Sequence, residues 1–138
     1  MKFTGIAFIT LLLFISCNKD NGALIPDVPV NFSALLTDPR LSPLNSTGGV
    51  VVITGYGVAG IIIYRRADNA YVAFDRCSSV NPEKKCAVSI DDTSLTATDA
   101  CSGAKFSLSD GTPAKAPAVR PLKQYQVIVN NSKISVIN

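Results

Sequence analysis

Three cysteines, Cys77, Cys86 and Cys101, are the side chains best suited to chemistry in the C-terminal half of a chain with four cysteines and no histidine. Cys77 and Cys86 enclose the segment "SSVNPEKK", and Cys101 lies in the small-residue run "TATDACSGAKFSLSDG". A cysteine in such a loop suits a metal or iron–sulfur site, or a disulfide turn. The absence of histidine removes the Cys–His arrangement that activates a thiol for nucleophilic attack. Arg76 is a neighbouring cation for Cys77, yet with no base beside it an inert, buried thiol is the expected state of Cys77. The ten acids are scattered: Asp91 and Asp92 fall at a hairpin tip, where Asp is a turn former, and Asp99 has no acidic neighbour within three residues. Neither a carboxylate pair for hydrolysis nor an acidic metal site is expected from them. The segment "GYGVAG", residues 55–60, lies between strands and opens no helix, so its glycines serve turns and not a phosphate loop. No catalytic residue emerges, and an enzyme is not the expected reading.

The N-terminus indicates a compartment. "MKFTGIAFITLLLFISCNKD" carries Lys2, an apolar run of about 12 residues and a small residue before Cys17, the layout of a secretory signal. The run is short of the ~20 residues that a membrane-spanning helix requires. "FISC" resembles the lipobox of bacterial lipoproteins. That resemblance implies cleavage after residue 16, lipid on Cys17 and stable anchoring by more than one acyl chain. The expected organisation is a signal peptide over 1–16, a lipidated tether over 17–29 and one β domain over 30–138, long enough for its own core. The expected location is the bacterial cell envelope, with the outer membrane favoured over the inner. Net charge is +3 with both signs interspersed. Arg65, Arg66, Lys84, Lys85, Lys105, Lys115, Arg120 and Lys123 make the C-terminal two-thirds mildly basic, but no basic face with interleaved aromatics is present, so nucleic acid is not an expected partner. An envelope location permits disulfides. The three cysteines after Cys17 allow at most one internal bridge and leave one sulfur over.

The elements that must position these cysteines are strands. No amphipathic helix of ten or more residues follows the tether. "VPVNFSALL" reads as a first strand, and "TDPRLSPLNSTGG" as a Pro- and Ser-rich loop. "VVVIT" is a short β-branched run, and "GIIIYRR" is continuously apolar, which indicates burial on both faces. "AYVAFD" completes a hairpin with it. "AVSIDDTSLTAT" is a second hairpin, turning at Asp91–Asp92. "KFSLS" is a further short strand, closed by a turn at "SDG". "TPAKAPAVRPL" reads as an extended connection with few ladder bonds. "QYQVIVNNSKISVIN" is a terminal hairpin turning at residues 130–132, where Asn tolerates the left-handed conformation. The fold class that follows is an all-β antiparallel sandwich or barrel, with two cysteine-bearing loops at one tip.

This order of parts resembles the Rieske-type [2Fe–2S] domain. In that family two loops each offer one Cys and one His to the cluster. The second loop reads C-P-x-H-G-S-x-F, and a later G-P-A-x-x-P-L-x-x-Y stretch covers the cluster. Here Gly103, Ala104 and Phe106 fall on the G-S-x-F positions, and "APAVRPLKQY" matches the proline stretch at every signature position except the first. "GIIIYRRADNAYVAFDRC", residues 60–77, is also similar to Rieske-like lipoproteins of Bacteroidetes. The resemblance spans residues 50–138.

In this register Cys77 falls on the first ligand cysteine, Ser79 on the first histidine, Asp99 on the second cysteine and Ser102 on the second histidine. A Rieske centre needs two Cys on one iron and two His on the other. Serine is a poor substitute for imidazole. The resemblance with these departures implies a domain that has lost its cluster, so no cofactor or metal is expected. Were a [2Fe–2S] cluster present, Cys77, Ser79, Asp99 and Ser102 would be its ligands. Cys101 falls on a position that in several family members is a cysteine bonded to the later cysteine of the first loop. The resemblance therefore implies a Cys86–Cys101 disulfide, with Cys77–Cys86 and Cys77–Cys101 as rival pairings. The expected function is a binding or structural module, its partner an envelope protein or ligand and the membrane itself through Cys17. The alternative is redox: an electron carrier with unusual ligands, or a thiol–disulfide component.

Overall fold

The computed structural model describes residues 24–138, and the expected leader and the expected lipidation site, Cys17, lie outside the described residues. Among the described residues ten strands run in chain order: β1 Asn31–Leu35, β2 Val50–Ile53, β3 Ile61–Arg65, β4 Tyr71–Asp75, β5 Ser89–Ile90, β6 Thr96–Thr98, β7 Lys105–Ser107, β8 Pro113–Lys115, β9 Gln124–Asn130 and β10 Lys133–Ile137. They form a six-stranded sheet in the order β1-β10-β9-β4-β3-β2 and a four-stranded sheet in the order β5-β6-β7-β8. Every pairing is antiparallel. Among the described residues no helix is long and apolar enough to cross a membrane.

The run "IIIY" explains the layering. Alternate residues of a strand face opposite sides of a sheet, and here both sides are covered. Ile61, Ile63 and Ala73 pack with Phe32, Leu41, Leu44, Ile134 and Val136 in one core. Ile62, Tyr64, Val72 and Phe74 pack with Val88, Phe106, Leu108 and Leu122 in the other. β3 and β4 are therefore the wall common to two cores. Each large side chain buried there contributes about 1.5–3 kcal/mol relative to exposure. Gly111, at φ 75°, closes the turn after β7 against the Phe74 ring, and an added Cβ would meet that ring at 2.7 Å.

The Pro- and Ser-rich segment after β1 is more ordered than its composition indicates. It contains a 3-10 turn over Pro39–Asn45, capped by the Asp38 side chain, which accepts from the Arg40 N–H. Side chains three apart eclipse in a 3-10 turn, so Leu41 and Leu44 fall on one side and are fully buried. The terminal hairpin turns at Asn131 and Ser132, both with positive φ, and the register pairs Lys133 with Asn130. The Pro-rich connection includes a short strand, β8, laddered to β7 across an irregularity at Lys105 and Phe106, and a cis peptide at Ala116–Pro117.

Candidate functional site

The two cysteine-bearing loops are adjacent to the four-stranded sheet. The first leaves β4 at Asp75 and folds back on itself: Cys77 bridges Ala87, and the Ser78 N–H donates to the Cys86 carbonyl at 2.8 Å. Its far end is a 3-10 turn over Pro82–Lys84, flanked by Asn81 and Lys85 in the left-handed conformation. The second loop is the tight connection from β6 to β7. A disulfide between Cys86 and Cys101 joins the two, with Cα atoms 6.4 Å apart, and among the described residues Cys77 is left as a buried free thiol.

Asp99 organises the second loop. Its side chain is fully buried. Oδ2 accepts from the Ser78 hydroxyl at 2.7 Å and from the Ser102 hydroxyl at 2.6 Å, and Oδ1 accepts from the Cys101 N–H at 2.9 Å. Burial pushes this carboxyl upward, but the bonds from Ser102, Ser78 and the loop N–H groups outweigh it and hold the group below the usual carboxylate range. The backbone of Asp99 also closes the turn, since its carbonyl accepts from the Gly103 N–H at 2.7 Å. Ser79, one residue from Ser78, turns away and donates to the Arg120 carbonyl at 2.7 Å. That bond ties the first loop to the proline stretch.

Cys77 has no exposed surface. Its Sγ–H faces the Pro82 and Ser78 carbonyls at 3.6 and 3.7 Å. Burial, and then the negative charge of Asp75, push the thiol up to about 11, so it is protonated and unreactive at neutral pH. Arg76 does not activate it; the Arg76 Nε donates to the Val88 carbonyl.

Asp75 anchors the base of the first loop. It accepts from the N–H groups of Val58, Ala59 and Cys77 and from the Tyr125 hydroxyl, at 2.7 to 3.2 Å. Gly57 passes so close that a Cβ there would lie 2.3 Å from the Asp75 carboxylate, which accounts for a glycine at that point of "GYGVAG". Burial and the bond to Asp75 raise the Tyr125 hydroxyl well above its ordinary value.

The structure thus brings together Asp99, Ser102, Cys86 and Cys101, and directs Cys77 and Ser79 elsewhere. Sequence reasoning missed Ser78 and Asp75. Nothing in the local pattern distinguishes Ser78 from Ser79, and Asp75 reads as the polar end of a strand. Beside Ser79 an open, mainly apolar hollow of about 360 Å³ is lined by Leu24, Ile25, Arg120, Pro121 and Leu122. The end of the expected tether reaches this face, where Lys123 Nζ binds the Pro26 carbonyl and Asp27. Asp91 accepts from Lys105, Thr96 and Thr98 across its own hairpin and serves the turn.

By sequence, no family model and no curated protein matches the chain. Solved structures match in shape. A plasma-membrane Rieske protein from Synechocystis PCC 6803 aligns with a TM-score of 0.54 and 20% identity, over 78% of this chain and 97% of that one. The ferredoxin of carbazole 1,9a-dioxygenase from Nocardioides aromaticivorans IC177 aligns with a TM-score of 0.50 and 20% identity, over 80% of this chain and 97% of that one. At such identities the likeness is one of fold. The chain has the all-β, Rieske-type fold.

Proposed function

We propose that this protein is an envelope lipoprotein, anchored through lipid on Cys17, whose Rieske-type domain has lost its [2Fe–2S] cluster and acts as a binding or structural module. The observation that carries the loss is the closed Ser78–Asp99–Ser102 network. At two of the four family ligand positions, Asp99 Oδ2 accepts from the hydroxyls of both Ser102 and Ser78, and its Oδ1 accepts from the Cys101 N–H. A third, Ser79, donates to Arg120, and the fourth, Cys77, is enclosed by the carbonyls of its own loop. Two Cys and two His are what such a cluster needs, so this donor set does not fit it. The disulfide and the network cross-link the two loop tips. Those tips, beside the apolar hollow, are the surface offered to a partner.

The competing reading is an electron carrier with unusual ligands. Its support is the fold likeness to a ferredoxin and to a Rieske protein. One experiment separates the two: visible absorption with iron and sulfide analysis on the full chain, purified in detergent without oxygen. A colourless, iron-free protein is the expected result. Visible bands with about two irons per chain would overturn the proposal.

A further inference from the structure

We infer that reduction of the Cys86–Cys101 disulfide creates a zinc site made of Cys86, Cys101 and Asp99. The ligand atoms of these three residues lie within 4.8 Å of one another. Zinc held at about 2.0–2.3 Å from oxygen and sulfur takes such donors with modest side-chain rotation. Two thiolates and a carboxylate make a three-ligand set, and a water completes the tetrahedron.

The supporting shell is already in place. Ser78 and Ser102 both bind Asp99 Oδ2, which leaves Oδ1, held toward the Cys101 N–H at 2.9 Å, as the coordinating oxygen. Hydrogen-bonded partners of this kind orient a metal-ligating carboxylate. Cys86 is fixed through its carbonyl, which accepts from the Ser78 N–H. Ser78 therefore braces two of the three ligands. The 6.4 Å between the Cys86 and Cys101 Cα atoms need not change when the sulfurs separate. This site uses none of the donors Cys77, Ser79 or Ser102, and shares with the family's ligand positions Asp99 alone.

Access favours the chemistry. Cys101 is exposed and Cys86 half-buried, so a dithiol reductant reaches Cys101 Sγ first. Its thiolate attacks that sulfur and displaces Cys86 Sγ. Its second thiolate then resolves the mixed disulfide. The reductant leaves as a disulfide, and two electrons and two protons pass to Cys86 and Cys101. Zinc binding then forms two Zn–S bonds and one Zn–O bond and releases the two thiol protons to solvent. In the oxidised chain the sulfurs are bonded to each other and bind no zinc.

The test is a zinc titration against a chromophoric chelator, on the full chain in detergent with Cys17→Ser to remove the fourth sulfur. It is run oxidised and after reduction by a phosphine that does not bind zinc. The expected result is one zinc per reduced chain and none per oxidised chain. Under reducing conditions Cys101→Ser weakens binding by at least about tenfold, and Cys77→Ser leaves it unchanged. X-ray absorption of the zinc-loaded chain should show two sulfur and two oxygen neighbours, a readout that needs no further variant. The inference is overturned if the reduced chain takes up no zinc, if Cys77→Ser weakens binding as much as Cys101→Ser, or if the zinc neighbours contain fewer than two sulfurs.

Discussion

Cys77 and Asp75 illustrate how one residue's burial decides its chemistry. The enclosed Cys77 thiol is expected to resist iodoacetamide in the native protein at neutral pH and to react once the chain is unfolded, as mass spectrometry of the labelled protein will show. Its raised value also sets a pH dependence. Between about pH 9, where an ordinary thiol ionises, and about pH 11, where this one does, the native state holds a proton that the unfolded state has lost. Stability therefore falls as pH rises through that window. Denaturant midpoints measured from pH 8 to 11 on the wild type and on Cys77→Ser should converge in shape below pH 9, and the wild type should fall more steeply above it. Asp75 is a structural counterpart: four donors converge on it, so Asp75→Ala leaves buried N–H and O–H groups unpaired, at about 1–3 kcal/mol for each group left unsatisfied.

At the scale of elements, the β5–β6 hairpin and the two loops behave as a stapled unit. The disulfide closes a segment with a sequence separation of 15. Cys101→Ser is expected to lower stability by about 3 kcal/mol in the chain-entropy account, and the thermal midpoint by roughly 10 °C, read by circular dichroism. The hairpin carries an acid-sensitive contact of its own. Hydrogen bonds from Lys105, then Thr96 and Thr98, draw the Asp91 carboxyl down to about 2. A depressed carboxylate stabilises the fold above the unfolded value near 3.8, and this contribution is lost as pH falls toward 2. Because Lys105 is partly exposed, the effect is about 1 kcal/mol or less. Acid unfolding curves of Asp91→Asn should be flatter than those of the wild type between those limits. An unchanged slope would show that the contact is not made in solution.

Across the whole molecule, the common wall of β3 and β4 makes the two cores interdependent. Phe74, fully buried and packed against Gly111, belongs to the core beneath the loops but stands on the strand that also supports the other core through Ala73. Phe74→Ala is expected to cost about 3–5 kcal/mol. Denaturant unfolding should remain one cooperative transition, with far-UV signal and tyrosine fluorescence changing together. Separate transitions would show that the loop-bearing sheet unfolds alone.

Much of the architecture was legible in the residues alone, because strand periodicity and turn chemistry are local. "GIIIYRR" indicated a strand buried on both faces, and Ile61, Ile62 and Ile63 are all fully buried. "VNNSK" indicated the last turn. The fold class and the Cys86–Cys101 pairing came through the resemblance of "GAKFSLSDG" and "APAVRPLKQY" to one family. Other features depended on segments far apart in the chain. Asp75 meets Tyr125 across 50 residues, and Ser78 meets Asp99 across 21. Which of two adjacent serines turns inward, which strand-end acid becomes a buried hub, and how Leu41 and Leu44 make a Pro-rich loop part of a core follow from three-dimensional approach, which no local period encodes. The sequence by itself determined most of the strands, though not β8 within the Pro-rich connection, together with the supply of sulfur. The tertiary structure alone decided which polar groups face one another between the loops, because the energy of a buried hydrogen bond depends on a partner that the neighbouring residues do not specify.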